Sequence, residues 1–174
     1  MMSEPQLAAP KEITMLERQH IESFLYLEAK YADEARYDDW EALVEPDFFY
    51  WVPAGDVPDP DPDTTISVIA DNRRRLKNRI AQLKTGLRLA QQPASPMRRL
   101  LSNFQIEALN ETELGVWCNF ALFEYRIQAT REMTIWAGRY EYRLRRRGET
   151  FGLFYKRVDL INASDPLPTL AFLI

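Results

Sequence analysis

The segment spanning residues 38–53 changes from helical to strand character within a few residues, and this change constrains the fold more than any other feature. An aspartate pair opens a short helix predicted over residues 38–45, and Pro46 disfavours helical geometry in the residue before it. The next positions, predicted to form a strand over residues 47–52, hold aromatic side chains of the kind favoured in sheets. They are Phe48, Phe49, Tyr50 and Trp51.

Four consecutive aromatic side chains can line a ligand cavity or fill a hydrophobic core. Successive side chains of a strand point to opposite faces of the sheet. Phe48 and Tyr50 therefore share one face, and Phe49 and Trp51 share the other. Since neither face collects all four rings around one ligand, we interpret the run as the core of a curved sheet, with one face available to a partner subunit.

The first half of the chain carries the helical signals. Residues 11–36 place apolar side chains at three- and four-residue steps, which is typical of an amphipathic helix. A later helix is predicted from a cap at Asp71 to about Leu89, after a short strand over residues 64–69. The predicted apolar stripe of the first helix consists of Ile13, Leu16, His20, Ile21, Phe24, Leu27, Tyr31 and Ala35.

The second half of the chain is predicted to be a meander of antiparallel strands. Turns are predicted at Asn110-Glu111 and over residues 147–149. Helices followed by a strand meander predict an α+β fold, with the helices packed on one face of a strongly curved sheet. The strands are predicted over residues 98–109, 114–130, 133–146 and 151–162, with a short last strand over residues 169–174.

The composition limits which functions this chain performs alone. One histidine, His20, and one cysteine, Cys118, are too few for a zinc, haem or iron–sulfur site built by this chain. A length of 174 residues suits one domain, predicted over residues 11–174 behind a flexible arm at residues 1–10. We expect no membrane span, because no stretch of about 20 apolar residues is present. The net charge of −4 disfavours a nucleic-acid partner, and the polar start predicts a cytoplasmic protein.

Several short stretches, spread over most of the chain, share an order and spacing with one protein family. They are Glu28-Ala29, Glu34 to Trp40, Tyr50 to Pro53, Ser67 to Asn72, Leu101 to Asn103, Gly138 to Glu141, Lys156 to Leu160 and Leu170 to Leu173. Together they resemble the small, or beta, subunit of the aromatic-ring-hydroxylating dioxygenases, which are Rieske non-haem iron oxygenases. One departure is visible, since Arg98-Arg99 stands where many members carry an Arg-His pair.

This resemblance implies a cone-shaped, nuclear-transport-factor-2-like fold in which a curved mixed sheet wraps around the N-terminal helices. It also implies a non-catalytic chain, with no catalytic, cofactor-binding or metal-binding residue of its own. In that family the alpha subunit carries the Rieske iron–sulfur cluster, the mononuclear iron and the substrate pocket. The implied partners are therefore catalytic alpha subunits, supported by a homotrimer of this chain within a three-plus-three hetero-hexamer for aromatic compound catabolism.

The same cone fold leaves two other functions open. Ketosteroid isomerase and scytalone dehydratase resemble it and use the cone interior for proton transfer, which needs a carboxylate or histidine with a shifted pKa in an apolar cavity. The candidate residues here are His20, Tyr26, Asp33, Tyr50 and Asp159. A cavity with such a polar pair would indicate a stand-alone isomerase or dehydratase. The same cavity without the pair would indicate a module that binds a small hydrophobic ligand.

An acidic loop invites comparison with a calcium site. Asp59, Asp61 and Asp63 are spaced like the first ligands of an EF-hand loop. That loop needs glycine at its sixth position and glutamate at its twelfth, and these positions hold Thr64 and Ala70. We therefore expect a solvated acidic loop.

The arginine runs at residues 73–75, 98–99 and 145–147 are interpreted as solvated faces or a protein interface. Arginine at a helix start is unfavourable against the helix dipole, so the first run is expected to find partners in the acidic loop or a neighbouring subunit. His20 is interpreted as a hydrogen-bonded core residue and Cys118 as a buried, inert thiol.

Overall fold

Three helices and one six-stranded sheet form the part of the chain that the structure describes. The structure is a computed structural model that describes residues 12–85, 94–127, 131–168 and 170–174. The predicted arm at residues 1–10 therefore lies outside the described residues. In chain order the elements are α1 (Met15–Asp33), α2 (Tyr37–Glu41), β1 (Val44–Pro53), β2 (Ser67–Asn72), α3 (Arg73–Lys84), β3 (Met97–Ala108), β4 (Glu113–Tyr125), β5 (Met133–Arg147) and β6 (Thr150–Leu160).

The six strands form one mixed sheet in the order β2-β1-β6-β5-β4-β3. Every neighbouring pair is antiparallel except β1 and β6, which run parallel. α1 packs against β3 and β6, and α3 packs against β1 and β2. The predicted α+β class is therefore confirmed, with a mixed sheet around the N-terminal helices. No helix within the described ranges is long and apolar enough to cross a membrane.

The first helix is confirmed, but it begins at Met15 rather than at residue 11 and faces the core differently. The Thr14 hydroxyl accepts a hydrogen bond from the Glu17 amide (3.1 Å) and caps α1. The core-facing residues are Ile21, Phe24, Leu25, Glu28, Ala29 and Ala32. His20 and Leu16 are exposed, so the prediction of a core histidine was wrong. The stripe therefore lies one position further round the helix than predicted, and it includes Glu28, whose partner comes from a distant strand.

The second helix is shorter than predicted. It ends at Glu41, and β1 already begins at Val44, so residues 44–46 belong to the strand. Pro46 lies where the pairing of β1 with β6 shifts register, between Val44 and Phe49. A proline lacks the amide that a regular ladder uses, and such irregular strand positions accommodate it.

The region between β1 and α3 is also shifted from the prediction. The strand is Ser67–Asn72, and the helix cap is Asn72, whose side chain accepts a hydrogen bond from the Arg75 amide (3.0 Å). Asp71 instead lies within β2 and pairs with Arg79. α3 ends at Lys84, and the remainder of the predicted helix falls in residues 86–93, outside the described part.

The meander from β3 to β6 is confirmed, and its ends lie within two residues of the predicted ones, except that β4 ends at Tyr125 and not at the predicted residue 130. Asn110 accepts hydrogen bonds from the amides of Thr112 and Glu113 in the first turn, and Gly148 has a positive φ of 64° in the last. The predicted last strand is wrong, because residues 170–174 pair with no strand although all five are buried. Residues 128–130 and 169, parts of two predicted strands, lie outside the described residues.

The aromatic run of β1 divides between the two faces of the sheet as predicted. Phe48 and Tyr50 belong to the buried core, where Phe48 packs edge-on against Trp40. On the other face Phe49 stacks with Tyr155. Trp51 also lies on that face, outside the core cluster.

Candidate functional site

The interior of the sheet contains a buried ion pair that joins the first helix to the last strand. Glu28 of α1 and Lys156 of β6 are both 0% exposed. The Lys156 Nζ lies 2.8 Å from Glu28 Oε1, and the Trp40 Nε1 donates to the same oxygen at 2.7 Å. The Tyr142 hydroxyl lies 3.4 Å from Glu28 Oε2. We call Glu28, Trp40, Tyr142 and Lys156 the interior cluster.

The electrostatics of the interior cluster favour an ionised carboxylate. Burial by itself would raise the pKa of Glu28. The charges of Lys156 and Arg99 outweigh burial and hold the pKa of this carboxyl below its ordinary value. Proton abstraction by an interior base needs a pKa shifted towards neutrality, so Glu28 has the wrong shift for that role. It acts as a hydrogen-bond acceptor that ties α1 to α2, β5 and β6.

A second buried ion pair joins α1, β3 and the last described residues. The Arg99 Nε donates to Asp33 Oδ1, and the Arg99 amide donates to Asp33 Oδ2, both at 2.8 Å. The Arg99 Nη2 donates to the Leu173 carbonyl at 2.7 Å. Nearby, the Tyr50 hydroxyl donates to the Ile174 oxygen (2.9 Å) and accepts from its amide (3.0 Å). Residues 170–174 are therefore held inside the cone by side chains from β1 and β3.

The structure does not bring the five predicted proton-transfer candidates together. His20 and Tyr26 are exposed, and Tyr26 packs edge-on against Phe104 outside the core. Asp33 and Tyr50 have the partners described above, and burial raises the pKa of Tyr50. Asp159 pairs with Arg157 (2.8 Å) on the face of β6 that points away from the helices. Burial raises the pKa of the Asp159 carboxyl.

The sequence reasoning missed the two most buried charges, Glu28 and Lys156. A signal for the first was present, because Glu28 follows Ile21 by seven positions and Phe24 by four, which is the spacing of one helix face. Lys156 likewise lies on the same face of β6 as Val158 and Leu160, at every second position of the strand. Each charge alone looks like an exception to the pattern, and only the fold shows that they pair.

Metal-binding side chains do not cluster within the described ranges, where no group of three His, Cys, Asp or Glu residues could hold an ion. The acidic loop is exposed as predicted, and the Asp61 carboxylate accepts a hydrogen bond from the Asp63 amide (2.9 Å). Cys118 is buried as predicted, and burial raises the pKa of its thiol to about 12.

The arginine runs find partners within the chain. Arg73 pairs with Glu41 (2.7 Å), and Arg75 donates to the Ala70 carbonyl (3.0 Å), so these two do not use the acidic loop. Arg99 is buried rather than solvated. The run at residues 145–147 forms ion pairs with Asp47, Glu113, Glu17 and Glu45.

The face of the sheet opposite the helices carries an apolar surface. Phe123 pairs with Ile135 and Tyr125 with Met133 across β4 and β5, and Leu100 of β3 pairs beside them with Ala121. Leu100, Met133 and Ile135 are 62%, 58% and 60% exposed. Ile161, bonded through its amide to Ala137 of the neighbouring strand, is 81% exposed. We call this surface the outer patch, made of Leu100, Phe123, Tyr125, Met133, Ile135 and Ile161.

Comparison with known proteins decides the family. The model of the family described as "Ring hydroxylating beta subunit" matches residues 27–164. The chain belongs to this family. The beta-subunit resemblance carried by the short stretches is therefore confirmed, and the interior cluster and the outer patch are features of a ring-hydroxylating dioxygenase beta subunit.

Relatives of this beta subunit cover most of its length. The small oxygenase component of the p-cumate 2,3-dioxygenase system of Pseudomonas putida is 34% identical over 130 residues, which cover 74% of this chain and 71% of that one. The beta subunit of benzoate 1,2-dioxygenase from Burkholderia mallei has a similar structure, with a TM-score of 0.73 and 24% identity, covering 94% and 99% of the two chains.

A naphthalene 1,2-dioxygenase structure with bound indole has a chain that superposes with a TM-score of 0.75 at 19% identity, covering 90% of this beta subunit and 84% of that chain. These structural matches confirm the predicted cone fold. At the departure, Arg98-Arg99, the second arginine binds Asp33 and Leu173 and so joins α1 to the end of the described chain.

Proposed function

We propose that this beta subunit supports the assembly of a Rieske-type oxygenase whose alpha subunits perform the chemistry on aromatic rings. The observation that carries the proposal is the family match over residues 27–164. The interior supports it, because two of its carboxylates, Glu28 and Asp33, are engaged by buried cations. A general base needs a free lone pair directed at a substrate, and neither carboxylate offers that arrangement.

The cofactors of the proposed oxygenase belong to the alpha subunit. A Rieske cluster and a mononuclear iron both need histidine ligands, and the cluster needs cysteines as well. This chain has one histidine and one cysteine, and Cys118 is buried within β4. We therefore assign no catalytic, cofactor-binding or metal-binding residue to the beta subunit.

The proposed assembly is a homotrimer of beta subunits within a three-plus-three hetero-hexamer in the cytoplasm. The outer patch supports association, because a contiguous exposed apolar surface on a protein often marks a site of interaction with another protein. A solvent-facing antiparallel sheet face is normally polar, and here the cross-strand pairs Phe123–Ile135 and Tyr125–Met133 are apolar, with Arg98 beside the first pair. We propose residues 11–174 as the single domain that assembles.

Co-expression with a ring-hydroxylating dioxygenase alpha subunit from the same genome tests the proposal. We expect the two chains to co-purify, and light scattering of the purified complex to give the mass of three copies of each. Iron and the Rieske spectrum should follow the alpha subunit. A beta subunit that never co-purifies and remains a monomer would refute the proposal, as would stoichiometric iron on the isolated chain.

A pair of variants tests the outer patch within the same experiment. Ile135→Asp places a charge in the patch, whereas Ile66→Asp places one at another exposed isoleucine, in the loop before β2. Both variants should keep the fold, since both side chains are largely exposed. We expect only Ile135→Asp to reduce assembly, and equal assembly of the two variants would remove the patch from the proposal.

A further inference from the structure

A concave groove that carries three cations lies between α2, β1 and α3. Its volume is about 550 Å³, and its lining residues are Glu41, Val44, Pro46, Arg73, Arg74 and Lys77. Arg73 pairs with Glu41 at 2.7 Å, whereas Arg74 and Lys77 are exposed and form no ion pair with any residue that the structure describes. We call this surface the basic groove, because two of its positive charges are not balanced inside the chain.

The acidic loop, which spans residues 54–63 between β1 and β2, presents the opposite charge. Its four carboxylates are exposed and pair with no cation within the described ranges; they are Asp56, Asp59, Asp61 and Asp63. The backbone of the loop is tied down, because the Gly55 amide donates to the Ala163 carbonyl (2.8 Å) and the Asp56 amide to the Ser164 hydroxyl (3.1 Å). Three prolines within the loop restrict its backbone further. The carboxylates therefore extend from a backbone with little freedom.

The basic groove and the acidic loop do not meet within one copy of the chain. In the antiparallel pair of β1 and β2, Pro53 lies opposite Ser67 at one end and Phe49 lies opposite Asn72 at the other. The loop follows Pro53, and the arginines of the groove follow Asn72. The length of β2, roughly 17 Å, separates these two ends. Exposed charges so far apart are largely screened from each other at physiological ionic strength.

We propose that the acidic loop of one beta subunit binds the basic groove of the next copy in a ring of three. This inference rests on the proposed homotrimer and names the surfaces that close it. Because the contact joins two different surfaces, it is head-to-tail, and a head-to-tail contact whose rotation closes builds a ring. Each copy contributes one loop and one groove, so the ring leaves neither surface unused.

A second copy of this chain fits the basic groove better than a nucleic acid or a free anion. The net charge of −4 repels a polyanion. A small anion would neutralise the groove but would leave the four carboxylates of the loop without partners. A loop from a second copy balances both surfaces, and such complementary charges also fix the register of docking and disfavour wrong partners.

Chemical cross-linking in the complex of alpha and beta subunits tests the contact directly. The double variant Asp59→Cys/Lys77→Cys places one thiol in the loop and one in the groove, and Cys118 does not interfere because it is buried. We expect a short bis-maleimide to join two and three beta chains, as seen by denaturing electrophoresis and mass spectrometry. Asp59→Cys alone, and the matched control Asp59→Cys/Lys30→Cys with its second thiol at an exposed site on α1, should give no such products.

The outcomes separate this inference from the proposed function. A complex with three beta copies that yields no linked beta chains would overturn the inference and leave the proposed assembly intact. Products that join beta to alpha instead of beta to beta would place the loop against the other subunit and would also overturn the inference. A beta subunit that remains a monomer would overturn both.

Charge reversal provides an independent test with a rescue. Lys77→Glu or Asp59→Lys brings like charges together at the contact, and we expect either change to raise the concentration at which the beta copies separate by roughly tenfold. The combined variant Asp59→Lys/Lys77→Glu restores opposite charges and should recover the wild-type value, and Lys30→Glu should not change it. Mass photometry of the complex over a dilution series measures these values. Single variants that assemble like the wild type, or a combined variant without recovery, would contradict the inference.

Discussion

Replacing Lys156 with methionine isolates the contribution of the interior ion pair. The change removes the ammonium but keeps a long apolar side chain of similar length. Glu28 then retains only Trp40 and Tyr142 as donors, and the second is distant at 3.4 Å. The carboxylate is left in the core without the cation that it contacts, which is the situation in which breaking an ion pair costs most.

The expected loss in the free energy of unfolding is about 3–5 kcal/mol, since both partners are 0% exposed and their charged atoms are 2.8 Å apart. For a domain of this size that loss corresponds to a decrease in Tm of roughly 6–20 °C. Lys84→Met is the matched control, because Lys84 pairs with Asp38 at a similar distance of 2.6 Å but with side chains 47% and 76% exposed. Removing that surface pair should cost about 0–1 kcal/mol.

The pH dependence provides a second readout for the same variants. In the wild type the folded-state pKa of Glu28 is lowered, so the pair stabilises the fold above the ordinary value of 4.5 and this stability is lost at lower pH. In Lys156→Met burial is no longer opposed by Lys156, and the folded-state pKa of Glu28 rises. The deficit of the variant should therefore be large at about pH 7.5 and smaller at about pH 5.

Urea unfolding followed by circular dichroism, at one protein concentration, measures both effects. The double variant Glu28→Gln/Lys156→Met should recover most of the loss, because the amide oxygen still accepts from Trp40 and no unpaired charge remains. Equal destabilisation by Lys156→Met and Lys84→Met, or a deficit independent of pH, would refute the reasoning.

Three further predictions concern other buried positions. Gly138→Ala would place a Cβ 2.0 Å from the Asp159 backbone oxygen, so we expect a loss of about 1–3 kcal/mol or more in urea unfolding. Gly148→Ser has open space around its Cβ and is strained only by the φ of 64°, so its loss should be the smaller of the two. Burial raises the pKa of Cys118 to about 12, so the thiol should react with Ellman's reagent only after unfolding, and rapid reaction of the native protein would contradict this. Asp33→Asn leaves the Arg99 guanidinium without its counterion and should cost about 3–5 kcal/mol, and a change below about 1 kcal/mol would show that the pair is dispensable.

The local features of the sequence predicted the strands best. Hairpins such as β5–β6 depend on alternation and on a turn residue such as Gly148, and both are visible within a short window. The division of the aromatic run in β1 was equally accessible, because strand geometry alone decides it. The shared order of short stretches then led from these elements to the family.

The errors arose where distant residues decide the outcome. Pro46 was interpreted as the end of a helix, but it lies in β1 because the irregular pairing with β6 tolerates a missing amide. The apolar residues at 170–174 were interpreted as a strand, but their backbone groups bond to Tyr50 and Arg99 instead of to a strand. His20 was assigned to the core from the spacing of residues in α1. The face that is buried instead contains Glu28, whose partner Lys156 lies on a distant strand and is not visible in the local pattern.

The parallel pairing of β1 with β6 has a consequence for the order of folding. The β3–β6 meander closes through short turns, whereas β1 must find β6 about a hundred residues further along the chain. Contacts so far apart in sequence form late, because the entropy of closing the intervening loop must be overcome first. We expect pulsed hydrogen exchange to protect the amides of β4 and β5 before those of β1. The Glu28–Lys156 bond would then form at the end of folding, as the step that joins two preformed halves of the molecule.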